Sequence, residues 1–469
     1  MKKRSILLLF FCVFASYSQT KIVSTGLELK KSTYYHQLIS TVHSLTDEFY
    51  VLTSDKENAT LLKYNSALFF SDSLQIKTDK NYPTIVGNSF NHKKNIVFYW
   101  TSEDFKKFKA VTYDFNERKT ATVTFDVPLT NENIIATFSK NDQLYFLTYL
   151  KTDKQIKLYT FRGNRYDEKI LDFSPYTFNL GVVNSLSLAQ YIATNPIEVV
   201  DTDFFNPLFS AANKIKVYPL KDKLLFTLDY GSSQTQALEI DWNTYEITEK
   251  LFPQPTMVSG VGSANSFYHQ EKLFQFKVNE TQLILAKHDY LGKEPVVEYS
   301  VMAKDKITFK NSPLYVQNGN YQPQTIKNTE KFLNRLRNKS IGISVYRTQE
   351  DLLITVGGSN ETITSDGLVV GALVTIGGIM FGGDGTVPDL SYAQILQNIY
   401  FECRFDTNFQ PKELPFSPLA VDFISGFLQE NDLITLHNTT KYKDYFILSY
   451  YDAKAKQLVL RKFEDGYLF

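Results

Sequence analysis

Residues 141–162 read NDQLYFLTYLKTDKQIKLYTFR, and this stretch decides the fold. Its polar start is followed by an apolar run that begins at Leu144, and the polar turn 151–154 leads to a second apolar run at 155–161. Short runs of aromatic and branched side chains bounded by Asp, Asn and Lys are typical of β-strands. The stretch therefore predicts two strands joined by a short turn.

The same pattern recurs along the chain. Its first apolar position falls at residues 49, 96, 144, 224, 273, 352 and 433. Copies follow one another after roughly 50 or about 80 residues, and a period in the forties corresponds to one four-stranded propeller blade. Runs with small residues, such as 84–89 and 423–427, precede most copies and suit inner strands that converge on an axis. We predict an all-β fold, a seven-bladed β-propeller of four-stranded antiparallel blades.

This layout resembles that of WD40-type and quinoprotein-type propellers over nearly all of residues 19–469. The resemblance is one of pattern, because the Gly-His and Trp-Asp signatures of WD40 repeats are absent. It implies a closed ring, in which 19–31 supply a strand that pairs with the last blade and 36–44 form the inner strand of blade one. Blade seven is expected at 423–463. An ordinary antiparallel sandwich is the alternative architecture.

Charge and the N-terminal residues indicate where the protein acts. The chain carries 50 basic and 50 acidic side chains, which argues against a nucleic-acid partner. Residues 1–18 predict a signal peptide, with a basic start at 2–4, an apolar segment at 6–14 and small residues before the cut. That segment is too short to span a bilayer. We expect export to the periplasm, the outer membrane or the exterior of a Gram-negative bacterium.

Three insertions interrupt the repeat, at about 175–213, 303–340 and 357–398. The first two fall between the last strand of one blade and the first strand of the next, and the third falls between the second and third strands of blade six. Because these connections share one face of a propeller, we predict that the helical and Gly-rich insertions lie on one face and that this face binds a partner. The alternative is that they fill the mouth of the channel.

Each insertion has its own pattern. The first predicts a helix at 184–193 before the cluster EVVDTDFF at 198–205, and the second predicts an amphipathic helix at 324–339. The third contains the uncharged run 367–383, GLVVGALVTIGGIMFGG, and exposed apolar surface is typical of an interface. We expect its deletion to leave the fold intact and to abolish association with a partner or membrane. The candidate binding residues are Phe204, Phe205, Arg335, Met380, Phe381 and Asp384.

Motifs for catalysis or metal binding are not found. The six histidines are scattered, with no HExxH pair, no G-x-S-x-G turn and no phosphate-binding loop, so no cofactor or metal site is predicted. The short segments 201–203 and 382–385 are oxygen-rich, but each is shorter than a calcium loop. Cys403 lies in a predicted strand and is expected to be a packing residue.

Two functions remain open from the sequence. The first is a non-catalytic binding or scaffold propeller of the envelope, whose partner is a protein or an outer-membrane component. The second is a carbohydrate-active hydrolase, which would take a glycan and use two carboxylates at the channel mouth. Its candidate carboxylates are Glu198, Asp201, Asp203, Asp384 and Asp389.

Overall fold

The computed structural model describes residues 19–466 apart from 31–32, 130, 178–186, 319–320, 349–350, 361–396 and 414–416. In this part of the chain, thirty strands (β1–β30 in chain order) form seven sheets, five of four strands and two of five. The sheets follow one another as the blades of a ring, so the predicted seven-bladed propeller is confirmed. The predicted signal peptide, the run 367–383 and Asp389 lie outside the described residues.

The first three blades are regular four-stranded meanders. Blade one contains β2 (Gln37–Val42), β3 (Phe49–Ser54), β4 (Asn58–Tyr64) and β5 (Phe70–Lys77). Blade two contains β6 (Thr84–Phe90), β7 (Ile96–Thr101), β8 (Lys107–Asp114) and β9 (Lys119–Asp126). Blade three contains β10 (Glu132–Lys140), β11 (Gln143–Leu150), β12 (Gln155–Arg162) and β13 (Arg165–Leu171). The hairpin that the opening stretch predicts is β11–β12.

Blades four to seven depart from this pattern. Blade four contains β14 (Ile197–Val199), β15 (Ile215–Pro219), β16 (Lys223–Leu228), β17 (Gln234–Asp241) and β18 (Ile247–Pro253). Blade five contains β19 (Ser263–His269), β20 (Lys272–Val278), β21 (Gln282–Asp289) and β22 (Val297–Met302). Blade six contains β23 (Leu314–Asn318), β24 (Gln324–Ile326), β25 (Ser340–Arg347), β26 (Leu352–Ser359) and β27 (Gln397–Phe405). Blade seven contains β28 (His437–Tyr442), β29 (Tyr445–Asp452), β30 (Gln457–Phe463) and β1 (Gln19–Gly26).

The two ends of the ring differ in their connections. At one end, here called the hairpin end, the first strand of each blade turns into the second, as β2 does through residues 43–48. At the other, the link end, consecutive blades are joined, as β18 and β19 are through residues 254–262. The first strand of each blade lies on the axis and runs from the link end to the hairpin end.

The N-terminal strand closes the ring, as predicted. β1 pairs antiparallel with β30, from Gln19 opposite Phe463 to Gly26 opposite Gln457. The inner strands of blades one and seven also touch, because Ser40 Oγ donates to Asn438 Oδ1 over 2.5 Å. The two ends of the chain are therefore held in one blade.

The core lies between neighbouring blades and combines aliphatic side chains with many aromatic ones. Between blades two and three, the ring of Phe108 lies 5.7 Å from that of Phe146 and 5.3 Å from that of Phe161. Cys403, in β27, is fully buried, so the prediction that it is a packing residue in a strand is confirmed. None of the helices in the described ranges combines the length and the apolar composition that crossing a membrane requires.

The prediction for blade seven is wrong in its register. Residues 423–427, predicted as an inner strand, lie in helix α4 (Ala420–Glu430), and the hairpin expected at Leu433 begins at β28 instead. The buried side chains of this helix, Ala420, Ile424 and Phe427, recur at helical spacing and pack on β29 and β30. That apolar stripe covers the side of blade seven, which favours the helix over a strand.

Blade six takes its outer strands from the second insertion. β23 pairs with β27, and β24 pairs with β23. In the regular blades the outer strand follows the third strand in the chain. In blade six the outer strands instead come from the segment before β25. The helix predicted at 324–339 is shorter, α3 (Thr329–Leu336), because the Asn328 side chain accepts from Lys331 N and caps its start. Its predicted apolar residues after that cap, Phe332, Leu333 and Leu336, are buried.

Candidate binding site: the channel plug and the link-end face

The first insertion enters the channel along the inner strand of blade four. Helix α1 (Leu188–Thr194) begins at Ser187, whose hydroxyl accepts from Gln190 N. The next strand, β14, runs parallel to β15 on its axis side, and Val200 N donates to Val217 O over 2.8 Å. Residues 197–200 therefore travel down the channel from the link end to the hairpin end.

The chain then returns along blade six. The ring of Phe205 packs edge-on against Tyr346, and Ser344 Oγ donates to Asn206 O over 2.5 Å. Helix α2 (Leu208–Ala211) is followed by Ala212, which lies against Gly342. A Cβ added to Gly342 would stand 3.0 Å from backbone atoms of Ala212. Residues 197–212, here called the channel plug, thus form a loop that fills the channel between blades four and six.

Buried polar side chains anchor the base of the plug. Asn265 Nδ2 donates to Ala212 O over 2.9 Å and to Ile341 O over 2.7 Å, which joins the plug to blades five and six. Glu198 Oε2 accepts from Asn213 Nδ2, and burial raises the pKa of Glu198 to about 7. These bonds satisfy groups that would otherwise be costly to bury. The plug is a fixed part of the fold.

Charged groups surround the tip of the plug at the hairpin end. Asp203 N donates to Asp201 Oδ1 over 2.9 Å and forms a tight turn. Burial and then the neighbouring Asp203 raise the pKa of Asp201, while the Lys140 and Lys441 ammonium groups oppose the shift. Lys441 belongs to blade seven and Lys140 to blade three, so the tip is electrostatically coupled to opposite sides of the ring.

His269 lies beside this tip and is unusual. It is the last residue of β19, only 3% of its surface is exposed, and neither ring nitrogen has a hydrogen-bond partner among the described residues. Burial lowers its pKa to about 4, although the Asp203 carboxylate opposes the shift. The imidazole is therefore neutral at pH 7. Within residues 19–466, gaps excepted, no group of three or more His, Cys, Asp or Glu side chains is placed to hold a metal ion.

The plug changes the expected placement of the first two candidate residues. Phe204 is buried, with its ring 5.2 Å from that of Phe446 in blade seven, and Phe205 packs on blade six. Both lie at the hairpin end, whereas the prediction put the whole first insertion on the link end. The physical reason is that the Phe204 ring packs among apolar side chains of α4 and blade seven, and the Phe205 ring packs against apolar side chains of blade six, which removes both from water. The structure separates them from Arg335.

The link-end face is here defined by residues 254–262 and 279–281, the end of β22 and the tip of the β23–β24 hairpin. Its largest exposed apolar side chains are Val258 (76% exposed), Val261 (80%) and Tyr321 (79%). Val258 N donates to Gln282 Oε1 over 2.8 Å, so the loop is held on blade five. The side chains point to solvent from a well-anchored backbone.

The second insertion adds a charged edge to this face. The Arg337 guanidinium, just after α3, forms an ion pair of 2.5 Å with Glu280 in the turn between β20 and β21. This contact brings the end of α3 beside blade five, and Arg335 on the same helix is exposed. Arg335 is therefore near the link-end face, and its role in binding stays a prediction. Its predicted companions Met380, Phe381 and Asp384 lie outside the described residues.

The three candidate carboxylates of the hydrolase alternative that lie in the described residues do not form one group. Asp201 and Asp203 are neighbours at the tip of the plug, whereas Glu198 is bonded to Asn213 in the interior. Asp384 and Asp389 lie outside the described residues. Sequence reasoning missed His269, Val258 and Val261. The signal for the valines was their flanking of Ser259 and Gly260, which marks an exposed loop.

Comparisons with known proteins leave the family open. No protein-family model matches the chain, and no curated protein matches it. The WD40 domain of SCAP from fission yeast is similar at 10% identity and a TM-score of 0.30, over 96% of this chain and 98% of that chain. An uncharacterized protein of Listeria monocytogenes is similar at 9% identity and a TM-score of 0.29, over 71% of this chain and 82% of that one.

An ACO/RPE65 chimera is also similar, at 8% identity and a TM-score of 0.28. That match covers 57% of this chain and 61% of the chimera, so the chain spans about three fifths of its length. At these values the similarities carry no argument about what this chain binds or does.

Proposed function

We propose that the chain is a non-catalytic binding propeller of the bacterial envelope that docks a protein on its link-end face. The observation that carries the proposal is the set of exposed apolar side chains there, Val258, Val261 and Tyr321. Val258 and Val261 share one loop whose backbone is already ordered, so docking does not have to order it, and exposed apolar surface is typical of interfaces. Export follows from the signal peptide predicted at 1–18.

The surroundings of these side chains favour a protein over a lipid surface. Arg335 and the Arg337–Glu280 ion pair provide charges of both signs at the edge of the face. Protein interfaces combine an apolar centre with a polar rim, whereas binding to an anionic membrane favours basic clusters. Two strands of blade six also meet solvent at this end, since β26 ends and β27 begins there.

The plug supports a scaffold role. Because it ties blades four, five and six through Asn265 and Ser344, the link-end loops stand on a ring with a filled centre. A rigid platform with variable loops is the usual arrangement for binding surfaces. The protein therefore holds its partner without closing around it.

The test is crosslinking and capture from cell envelopes with two matched double variants. Val258→Asp with Val261→Asp places two charges on the link-end face. Leu45→Asp with Phe69→Asp does the same at the hairpin end, where these side chains are 76% and 69% exposed. We expect the wild type and the hairpin-end variant to capture one stoichiometric protein, and the link-end variant to lose it at least about tenfold.

Two results would contradict the proposal. One is equal capture by both double variants, since the link-end face would then be irrelevant. The other is co-sedimentation of the wild type with vesicles of phosphatidylethanolamine and phosphatidylglycerol that the link-end variant loses, because the surface would then recognise lipid.

A further inference from the structure

A separate site lies at the hairpin end of the molecule, between blades one and two. It is a pocket of about 220 Å³ at the hairpin end, formed by the end of β4, the turn between β6 and β7, and the end of β8. Pockets for drug-sized ligands are larger, roughly 300–1,000 Å³, so this one suits a single ring with its substituents. It is independent of the link-end face.

The pocket is positively charged. Its lining includes the ammonium groups of Lys63, Lys93 and Lys94 against one carboxylate, Glu48. Glu48 is already paired, since its Oε1 lies 2.7 Å from Lys63 Nζ and its Oε2 accepts from Tyr50 Oη over 2.8 Å. Lys93 and Lys94 at the rim are exposed and carry the excess charge. The pocket therefore favours an anion.

The two rim lysines stand on a preformed turn. Asn91 Oδ1 accepts from Lys93 N over 2.9 Å and from Asn95 N over 3.0 Å. Lys94 has a φ of +62°, a left-handed conformation that the turn imposes. Because the backbone is held in this way, the turn that carries both lysines is already ordered before a ligand arrives, which lowers the entropy cost of binding.

Three aromatic side chains, Tyr50, Tyr113 and Phe115, also line the pocket, beside Asn95, Ile96 and Asn116. The Lys63 ammonium lies 5.8 Å from the centre of the Tyr50 ring and 5.6 Å from that of Phe115. Tyr113 also lines the pocket, and its buried hydroxyl has no hydrogen-bond partner among the described residues. A ring placed against these faces would gain apolar contact, and a small shift would offer it a hydroxyl donor.

We infer that this pocket binds the carboxylate-bearing ring of an acidic sugar. The carboxylate would pair with Lys93 and Lys94, and the ring would pack on Phe115 and Tyr50. A neutral sugar could pack on the aromatic side chains but would leave the lysine charges unpaired. An inorganic anion could pair with the lysines but would make no apolar contact with the aromatic side chains. The ring can come from a free uronate or from a residue within an acidic polysaccharide.

The experiment is ligand-observed saturation-transfer NMR on the full chain, with galacturonate, galactose and trigalacturonate as probes. We expect association with galacturonate at least about tenfold stronger than with galactose, and weakening at high salt, because exposed charges are screened. Stronger binding of trigalacturonate than of galacturonate would identify a polysaccharide as the source. Equal or weaker binding would identify the free sugar.

Lysine variants locate the site. Lys93→Gln with Lys94→Asn removes both charges and keeps a residue that tolerates the left-handed conformation. It should lower galacturonate binding about tenfold with an unchanged thermal midpoint. Lys119→Gln, on the outer strand of blade two, is the matched control and should bind like the wild type. Equal binding of galactose and galacturonate, no binding of either, or full binding by the double variant would overturn the inference.

Discussion

At the scale of single residues, burial in the fold explains the shifted pKa values around the channel plug, and no catalytic role is needed to account for them. Glu198, Lys216 and His269 all lie in or beside the channel plug, and burial shifts the pKa of each toward its neutral form. Lys216 is held by Asn213 O, Asn265 Oδ1 and the Asp229 carboxylate, so it is a structural group. The ring nitrogens of His269 have no hydrogen-bond partner in the part of the chain that the structure describes.

His269 makes the stability of the fold depend on pH. Its folded pKa of about 4 lies below the unfolded value of 6.5, so its contribution is complete above pH 6.5 and is lost as the pH falls toward 4. The difference corresponds to about 3 kcal/mol. Between pH 7 and pH 4 the unfolding free energy of the wild type should fall by about 3 kcal/mol more than that of His269→Gln, as measured by urea titrations at both pH values. Parallel pH curves for the two proteins would show that the imidazole is not involved.

Gly342 marks the closest approach of the plug to blade six. A Cβ there would stand 3.0 Å from Ala212 Cα and N, both backbone atoms that cannot turn aside. Gly342→Val should therefore destabilise the protein by about 1–3 kcal/mol, seen as a lower denaturation midpoint. The control is Gly426→Ala in α4, where nothing lies within 4 Å and helix propensity should raise stability by up to about 1 kcal/mol. Equal effects of both changes would contradict the packing of the plug.

At the scale of elements, the insertions are used in different ways. The first becomes the plug, and the second supplies β23, β24 and α3 to blade six. The third joins β26 to β27, which remain paired up to Ser359 and Asn398. Two of the three are thus structural, which the loop lengths did not indicate.

Deletion of residues 367–383 should leave the unfolding midpoint unchanged. The reason is that β26 and β27 are paired along their whole length, and Asn360 N still donates to Gln397 O beyond the strands. In the same deletion, capture of the partner should be reduced. A loss of cooperative unfolding would mean that this run belongs to the core, and capture at the wild-type level would remove it from the binding surface.

The elements were predictable where local signals agreed. Alternation of apolar residues and turn chemistry located the hairpins of blades one to six. The run 423–427 was misread because a small residue among apolar ones suits both an inner strand and a buried helix face. The placement of β23 was not predictable, because an outer strand can be supplied from either side of a blade.

At the scale of the whole molecule, closure of the ring couples residues far apart in sequence. Ser40 Oγ donates to Asn438 Oδ1 over 2.5 Å and lies 2.6 Å from Thr440 Oγ1, and all three side chains are buried. These contacts join the inner strands of blades one and seven, beside the β1–β30 pairing. Stability of the ring therefore depends on both ends of the chain.

A double-mutant cycle on Ser40→Ala and Asn438→Ala measures this closure. Each single change should cost about 0.5–1.5 kcal/mol, because it removes a buried hydrogen bond, although Asn438 Oδ1 also accepts from Ser40 N and Ser40 Oγ also lies beside Thr440 Oγ1. The double variant should be less destabilised than the sum of the two, with a coupling of about 0.5–3 kcal/mol in chemical denaturation. Strictly additive costs would indicate that the two blades do not share this contact.

The sequence by itself determined the number of blades, the central hairpins of the first six and the closing strand, because strand alternation and turn residues are local properties. It also predicted three insertions, the second of which contains Arg335. Only the tertiary structure decided that Phe204 and Phe205 cross the channel, that an upstream segment completes blade six, and that Lys93, Lys94 and Phe115 share a pocket. These outcomes depend on which surfaces remain unpaired once the ring is closed, and no short stretch of sequence contains that information.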